Sequence, residues 1–540
     1  MYGSIKIPEP ENEKVLSYEP DSKERYLLKK EINKQKNTFF KIPLIIGGKE
    51  IFTEKEKSVV SPHDHKKRLG VCSQAGEDEI RQAIECSLEA KKKWEKLSWH
   101  HRAAIFLKIA ELISTKYRYV LNAATMLNQS KSAFQAEIDS ACELIDFLRY
   151  NVKFAEQIFE QQPKSPDATW DYMEYRSLEG FILAISPFNF TAIAGNLTTA
   201  PAMLGNTVVW KPSTNALLSG YYLMKIFKEA GLPDGVINFV PSSGKTISQT
   251  ALIHPELAGV HFTGSTEVFN NIWQSISNNL RKYKSYPRIV GETGGKNYIL
   301  MHNSAKVDAV VTAIIRSAFE YQGQKCSACS RAYIPKSLWT EVKNKLIQNL
   351  KTVKIGDVSN FKNFMNSLID EKAFDKTVAF INRAKESSEA EVVFGGNGDK
   401  SIGYFIDPTI IVVTNPIYET MQEELFAPVL TLYVYSDDKL DGMPQLISET
   451  TPYALTGSIF SQDRYVIEEL ADKLKNTCGN FYINDKPTGA VVGKQPFGGG
   501  RASGTNDKAG SYLNLMRWLS PRTVKECFNP PVNYSYPFMK

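Results

Sequence analysis

Residues 206–231 read NTVVWKPSTNALLSGYYLMKIFKEAG. A β-branched and aromatic run, VVW, gives way to a proline-bearing turn. A stretch follows whose apolar residues fall three and four positions apart, so the order is strand, loop, helix. The unit recurs. VINFVPSS at 236–243 precedes a helical segment near 245–253, and GVHFTGS at 259–265 precedes TEVFNNIWQSISNNL. Strands separated by whole helices predict a parallel, doubly wound α/β sheet. Upstream, DYMEYRSLEGFILAISPF at 171–188 alternates and then becomes continuously apolar, which predicts a hairpin leading into a buried strand. Residues 76–160 predict amphipathic helices, clearest in EDEIRQAIECSLEAKKKWEKL and HRAAIFLKIAELISTKY. A second alternating region occupies residues 296–511. The tail, 512–540, ends in NPPVNYSYPFMK and suits an extended edge segment.

The chain has 540 residues, 42% hydrophobic and 23% charged, which fits a globular protein of two to four domains on the scale of about 150 residues each. Its net charge of +6 is spread thinly. Local basic runs such as KEKSVVSPHDHKKR and AKKKW read as solvated faces, so neither nucleic acid nor a membrane is expected as a partner. Cysteines number seven, odd and scattered, which argues against a disulfide framework and for a reducing compartment. The first residues, MYGSIKIPEPENEKVLSYEP, lack the features of a signal or transit peptide. The expected location is the cytoplasm, with the mitochondrial matrix as the alternative.

Neither G-x-G-x-x-G nor G-x-x-x-x-G-K-[ST] is present. HFTGSTEVF offers a weaker phosphate site: a strand ends near Gly264, and Ser265 and Thr266 open a helix whose free N–H groups attract an anion. Lys211 stands just past a neighbouring strand, at the end where open α/β sheets bind ligands. The stretch EYQGQKCSACSR at 320–331 holds Cys326 and Cys329. A zinc site lacks its other ligands, and no metal is expected. A thioredoxin-like pair belongs between a strand and the helix that follows, whereas here a helix precedes and a strand follows. One reactive loop thiol, or two buried cysteines, remain. RIVGETGGKN places Glu292 in a glycine-flanked turn, where a carboxylate reaches a site uncrowded. ISPFNFT places Asn189 past a buried strand, where its amide can donate to an oxyanion.

PFNF at 187–190, WKPS at 210–213, FTGST at 262–266, GETGGK at 291–296, GQKC at 323–326, EELFAPVL at 423–430 and PFGGGRASGTNDKAG at 496–510 together resemble the aldehyde dehydrogenase superfamily in order and spacing. AEIDSACELIDFLRYN, PFNFTAIAGNL, EYQGQKCSACSR and RASGTNDK are similar to its branch that oxidises L-glutamate γ-semialdehyde to glutamate, the second step of proline catabolism. The resemblance implies an α/β enzyme with a Rossmann-type cofactor domain (1–162 and 183–295), an α/β catalytic domain (296–511) and a β oligomerisation flap (163–182 and 512–540). It implies Cys326 as nucleophile, Glu292 as general base, and Asn189 with the Cys326 N–H as oxyanion hole; Cys329 falls outside these roles. Ser186, Lys211, Gly264, Ser265, Thr266, Glu267 and Val268 match the NAD site, with Glu424 on the nicotinamide ribose and Phe426 beside it. For the substrate it implies N–H donors at Thr488, Gly489 and Ala490, with Lys325 and Ser327 beside the thiol. Phe190 and Phe497 sandwich the chain, and Glu143 joins the pocket. Many relatives carry glutamate where this chain has Thr214, so NADP stands beside NAD as the expected cofactor. The expected partners are a small-molecule substrate, a second copy of the chain in a homodimer or larger assembly, and a transient proline dehydrogenase.

Overall fold

A computed structural model describes residues 5–540. Two seven-stranded sheets dominate it. In the first, the strands lie in the order Arg288–Glu292, Leu257–Thr263, Phe181–Ile185, Val208–Lys211, Ile237–Phe239, Leu44–Ile46 and Lys49–Ile51. The first five run parallel, and the last two close the edge antiparallel. Strands 181–185 and 257–263 are buried along their whole length, as expected where helices cover both faces. Chain order reverses between these two neighbours, because 181–185 is followed on one side by 208–211 and on the other by 257–263. Their carboxyl ends therefore flank a crevice, the usual ligand position in a doubly wound sheet.

In the second sheet the order is Ala390–Phe394, Thr409–Val413, Val429–Tyr435, Cys329–Pro335, Asn297–Met301, Thr456–Phe460 and Asn480–Ile483, parallel except for the first pair. Its amino ends face the crevice of the first sheet. The α/β class and the parallel core follow the sequence expectation.

Three expectations need correction. No hairpin forms near 163–182. Thr169–Ser177 instead pairs antiparallel with Leu519–Cys527, from Leu519 opposite Ser177 to Cys527 opposite Thr169. Alternation marks a strand but does not specify its partner. Here Gly180, at φ +110°, turns the chain into the first sheet. In the tail, Tyr512–Met516 is a short helix, not an extended strand, and Leu515 and Trp518 enter the core. The helix near 245–253 is shorter, Gly244–Thr250, capped by Ser243.

The helical region holds Glu77–Trp94, Trp99–Leu112, Arg118–Gln129 and Leu144–Phe159. A wide π-type segment, Glu137–Glu143, leads into the last of these, and such segments often mark functional sites. An extended N-terminal arm crosses it. Leu16 N–H and Tyr18 O–H donate to Glu137, Glu13 N–H donates to Asp146, and the Asn12 amide bridges Asp146 and the Val492 carbonyl at 2.8 Å each.

Candidate active site

Cys326 sits on a loop between helix Val307–Phe319 and strand Cys329–Pro335. Three consecutive residues, Tyr321, Gln322 and Gly323, hold left-handed φ values of 51°, 56° and 68°. Non-glycine residues in that conformation are disfavoured and persist only where surroundings over-determine them. Tyr321 O–H donates to the Gln129 carbonyl at 3.0 Å. The Gln322 amide donates to the carbonyls of Ser130 and Ser367 and accepts from Asn366 N–H. At Gly323 a β-carbon would lie 2.3 Å from the Ala427 carbonyl, so only glycine fits. Downstream, Asn297 donates to the Cys326 carbonyl at 2.7 Å and to the Ala328 carbonyl at 2.9 Å. Gly295 lets this clamp close, because a β-carbon there would meet the Cys326 carbonyl at 2.5 Å. Asn297 was missed by sequence reasoning, although it ends the GETGGKN stretch that drew attention to Glu292.

Asn189 follows strand Phe181–Ile185, and its buried amide donates to the Gln324 carbonyl at 3.1 Å. It thus lies against the thiol loop two residues from Cys326. Behind it Phe190 opens helix Thr191–Met203, whose first N–H groups, at Thr191 and Ala192, donate to the Asp139 carboxylate at 3.0 and 2.8 Å. Asp139 pairs at 2.8 Å with the fully buried Lys131, whose ammonium stands 3.7 Å from the Phe190 ring centroid and 4.5 Å from that of Tyr321. This buried pair, also unread in the sequence, fixes the start of the helix and the pose of Phe190.

Glu292 is the last residue of a strand, not part of a turn as expected, and its side chain accepts from Gly499 N–H at 3.3 Å. Burial raises its pKa well above the ordinary carboxylate range; the Gly499 bond and Lys508 oppose that, and Asp507 adds to it. The Cys326 thiol is pushed up to about 12, first by burial, then by Glu292, Glu424 and Glu143; Ser327 N–H opposes. The resting group is therefore a thiol, not the thiolate that nucleophilic attack requires. Cys329 is buried and donates to the Arg331 carbonyl, and both cysteines are free.

At the carboxyl ends of the first sheet, Ser186 accepts from the Trp210 indole at 2.9 Å, and Lys211 ends its strand with its pKa lowered by burial alone. Ser265 caps helix Thr266–Asn278 through Val268 N–H, leaving Glu267 and Val268 exposed on its first turn. Glu424 faces this crevice from the second sheet and accepts from Gly295 N–H at 2.9 Å. Its carboxyl is pushed up to about 7 by burial, against the Gly295 bond and Lys296. Phe426, at φ +56°, stands edge-on to Phe188 at 5.8 Å. A carboxylate, an ammonium and an open helix start around one glycine-lined crevice suit the hydroxyls and phosphates of a dinucleotide.

On the other side of the thiol loop, Ser327 and Thr488 share a hydrogen bond of 2.7 Å between buried hydroxyls. Gly489 follows at φ +90°, and Ala490 is half-buried. Lys325 pairs with Glu320 at 3.1 Å, so part of its charge is already matched. Phe497 is tied to Ala509 by two backbone hydrogen bonds of 3.0 and 2.8 Å. Glu143 ends the π-type segment, its pKa pushed up to about 8 by burial and then by Asp139, with Lys131 opposing.

The aldehyde dehydrogenase family model matches residues 52–524. The chain is 51% identical over 541 residues to the delta-1-pyrroline-5-carboxylate dehydrogenase, mitochondrial, of Dictyostelium discoideum, covering 100% of this chain and 97% of that one. With the human protein of that name the identity is 44% over 539 residues, covering 100% and 95%. The crystal structure of the delta-pyrroline-5-carboxylate dehydrogenase from Mycobacterium tuberculosis bound with NAD superposes with a TM-score of 0.97 at 46% identity, covering 100% of both chains.

Proposed function

The chain belongs to the aldehyde dehydrogenase family, and from that premise we propose that it oxidises L-glutamate γ-semialdehyde, the open form of Δ1-pyrroline-5-carboxylate, to L-glutamate with NAD. This is the second step of proline catabolism. The observation that carries the reading is the convergence of Asn189 and Glu292 on the thiol loop, Asn189 through the Gln324 carbonyl and Glu292 through its charge acting on Cys326, with the Ser327–Thr488 bond joining that loop to the one at 488–490.

We assign Ser186, Lys211, Gly264, Ser265, Thr266, Glu267, Val268, Glu424 and Phe426 to the NAD site. When bound, NAD supplies the hydride acceptor. The protein's own residues do the rest. Cys326 Sγ gives its proton to solvent water and bonds to the aldehyde carbon. The oxyanion of that thiohemiacetal is received by the Asn189 amide and Cys326 N–H, a kind of donor worth roughly 3 kcal/mol. Hydride loss from the same carbon leaves a thioester on Cys326. Glu292 takes a proton from water, whose oxygen attacks the thioester carbon. The carbon–sulfur bond breaks, giving the carboxylic acid, and the proton held by Glu292 passes to Cys326 Sγ to restore the thiol.

Substrate selection falls to the loop at 488–490, where N–H groups receive the α-carboxylate and the positive φ of Gly489 lets the backbone approach. Phe190 and Phe497 flank the aliphatic chain, Lys325 and Ser327 border the thiol, and Glu143 joins the pocket rim. The division at 1–162 with 183–295, 296–511, and 163–182 with 512–540 is supported by the two sheets and the separate ribbon; Asn514, Leu515 and Trp518, however, pack into the core. That ribbon supports a homodimer or larger assembly. A separate proline dehydrogenase is the partner this substrate calls for. Eukaryotic relatives named mitochondrial favour the matrix over the cytoplasm. Among the described residues no helix is long and apolar enough to cross a membrane.

The test is reduced-cofactor absorbance on adding Δ1-pyrroline-5-carboxylate, with NAD and NADP in parallel, for wild type and Cys326→Ala. The expected result is NAD reduction by wild type and none by the variant. Oxidation of other aldehydes but not this one would reject the substrate assignment and keep the reaction class.

A further inference from the structure

Between Arg501 and Lys508 the backbone enters the left-handed region at three non-glycine residues: Arg501 at φ +50°, Asn506 at +55° and Lys508 at +54°. Asparagine tolerates that region, but a lysine there is disfavoured and needs a reason. The side chain supplies one. Half-buried, the Lys508 ammonium donates to the Gly479 carbonyl at 2.7 Å and to the Gly498 carbonyl at 3.1 Å. Those carbonyls converge because residue 479 is glycine: a β-carbon there would lie 1.8 Å from the Gly498 oxygen.

The turn so held is the one that receives Glu292. Gly499 N–H donates to one carboxylate oxygen, and a β-carbon on Gly498 would lie 3.0 Å from the other. Asn480 holds the same turn from beneath, accepting from Gly498 N–H at 3.2 Å and donating to the Pro496 carbonyl at 3.0 Å. Burial takes protons off Lys508 more readily than usual, while Glu292 and Cys478 oppose this.

We propose that Lys508 is a positioning residue for Glu292, holding the Gly498–Gly499 turn so that the carboxylate is aimed at water and kept ready to take its proton. The proposal rests on the reading of Glu292 as the base of thioester hydrolysis. The other titratable groups around Glu292 are Asp507 and the Cys326 thiol. Asp507 accepts from Thr505 and pairs with Arg517 at 3.3 Å, so its charge is partly matched away from Lys508. Signs follow directly. Lys508 favours the ionised form of Glu292, and Asp507 disfavours it.

Stopped-flow kinetics across pH, on the full chain, separate the steps. In Lys508→Met the burst of reduced cofactor keeps its rate, because the turn takes no part in hydride transfer. The steady state that follows falls roughly ten- to a hundredfold, and its acid limb moves up by about one pH unit. Lys508→Arg recovers part of the steady rate, and Asp507→Asn moves the limb the opposite way. An unmoved limb in both Lys508→Met and Asp507→Asn overturns the proposal, as does equal loss of burst and steady state. If Lys508→Met does not fold, Lys508→Arg still decides: a loss confined to the steady state supports the proposal, and an equal loss of burst and steady state overturns it. Glu292→Gln is the control on the underlying reading: full hydrolysis in that variant rejects Glu292 as base, whatever Lys508 does.

Discussion

At the scale of single residues, Glu424 shows how a site group is held by what is missing beside it. A β-carbon on Gly294 would stand 2.2 Å from a Glu424 carboxylate oxygen, and Gly295 N–H donates to the other. Gly294→Ala is therefore expected to push Glu424 out of the crevice and raise the NAD dissociation constant about tenfold, the loss typical of one charge-assisted hydrogen bond. Titration gives a second expectation. With its pKa near 7, Glu424 loses acceptor capacity as pH falls through neutrality, so NAD affinity drops several-fold between about pH 8 and 6. Tryptophan fluorescence quenching on NAD addition checks both, and Glu424→Gln removes the pH dependence. The linkage to folding has the opposite sense. A carboxyl whose folded pKa is raised stabilises the fold at low pH and loses that contribution as pH rises through about 7. Cys326 marks the limit of reading residues alone. GQKC identified the loop thiol, but its elevated pKa comes from burial and from Glu292, Glu424 and Glu143, none of them near it in sequence.

At the scale of elements, helix Thr191–Met203 depends on one buried carboxylate. Asp139 takes its first two N–H groups and the Lys131 ammonium together. Asp139→Ala leaves Lys131 unpaired in the interior and the helix start unsatisfied, a loss of about 3–5 kcal/mol. It also frees Asn189 and Phe190, so kcat falls with stability. Urea denaturation and turnover measured on one preparation check this, and Lys131→Met combined with Asp139→Leu is expected to cost less stability than Asp139→Ala. Both residues were legible as letters in QSKSAFQAEIDS, yet their pairing was not, because burial and partner choice are tertiary facts. The strand–helix units at 206–280 were readable for the contrary reason: periodicity and turn chemistry are local, and a parallel sheet buries its strands so thoroughly that they stand out. What defeated the reading at 171–177 was a partner more than three hundred residues away. Asn297 was invisible for the same reason. Its amide clamps a loop some thirty residues on, and nothing in GGKN states that distance.

At the scale of the whole molecule, two sheets meet end to end, and one piece stands outside them. The ribbon of Thr169–Ser177 and Leu519–Cys527 pairs over nine positions but has few neighbours, and most of its side chains are exposed or half-exposed. An isolated two-stranded ribbon is marginal in water, so this one calls for a further surface. Beyond it, Phe528, Val532, Tyr534, Tyr536 and Phe538 are all exposed, with Val532 fully so. Large apolar side chains gathered on a terminal segment mark an interface. Strand Asn480–Ile483 offers a matching surface, an open edge of the second sheet with unpaired backbone groups. Two copies related by a twofold axis can satisfy both needs at once, each ribbon lying on the other's open edge. Ending the chain at Ser520 removes most of one ribbon strand and the apolar tail, while Leu515 and Trp518 stay in the core. Sedimentation velocity is expected to show the full chain as a dimer or larger and the shortened chain as a monomer. A shortened chain that still sediments as the full assembly would move the interface elsewhere. Since the same edge strand leads through Asn484 to the loop at 488–490, the monomer is also expected to bind substrate several-fold more weakly while keeping its NAD affinity, and a KM comparison on the two preparations reads that difference.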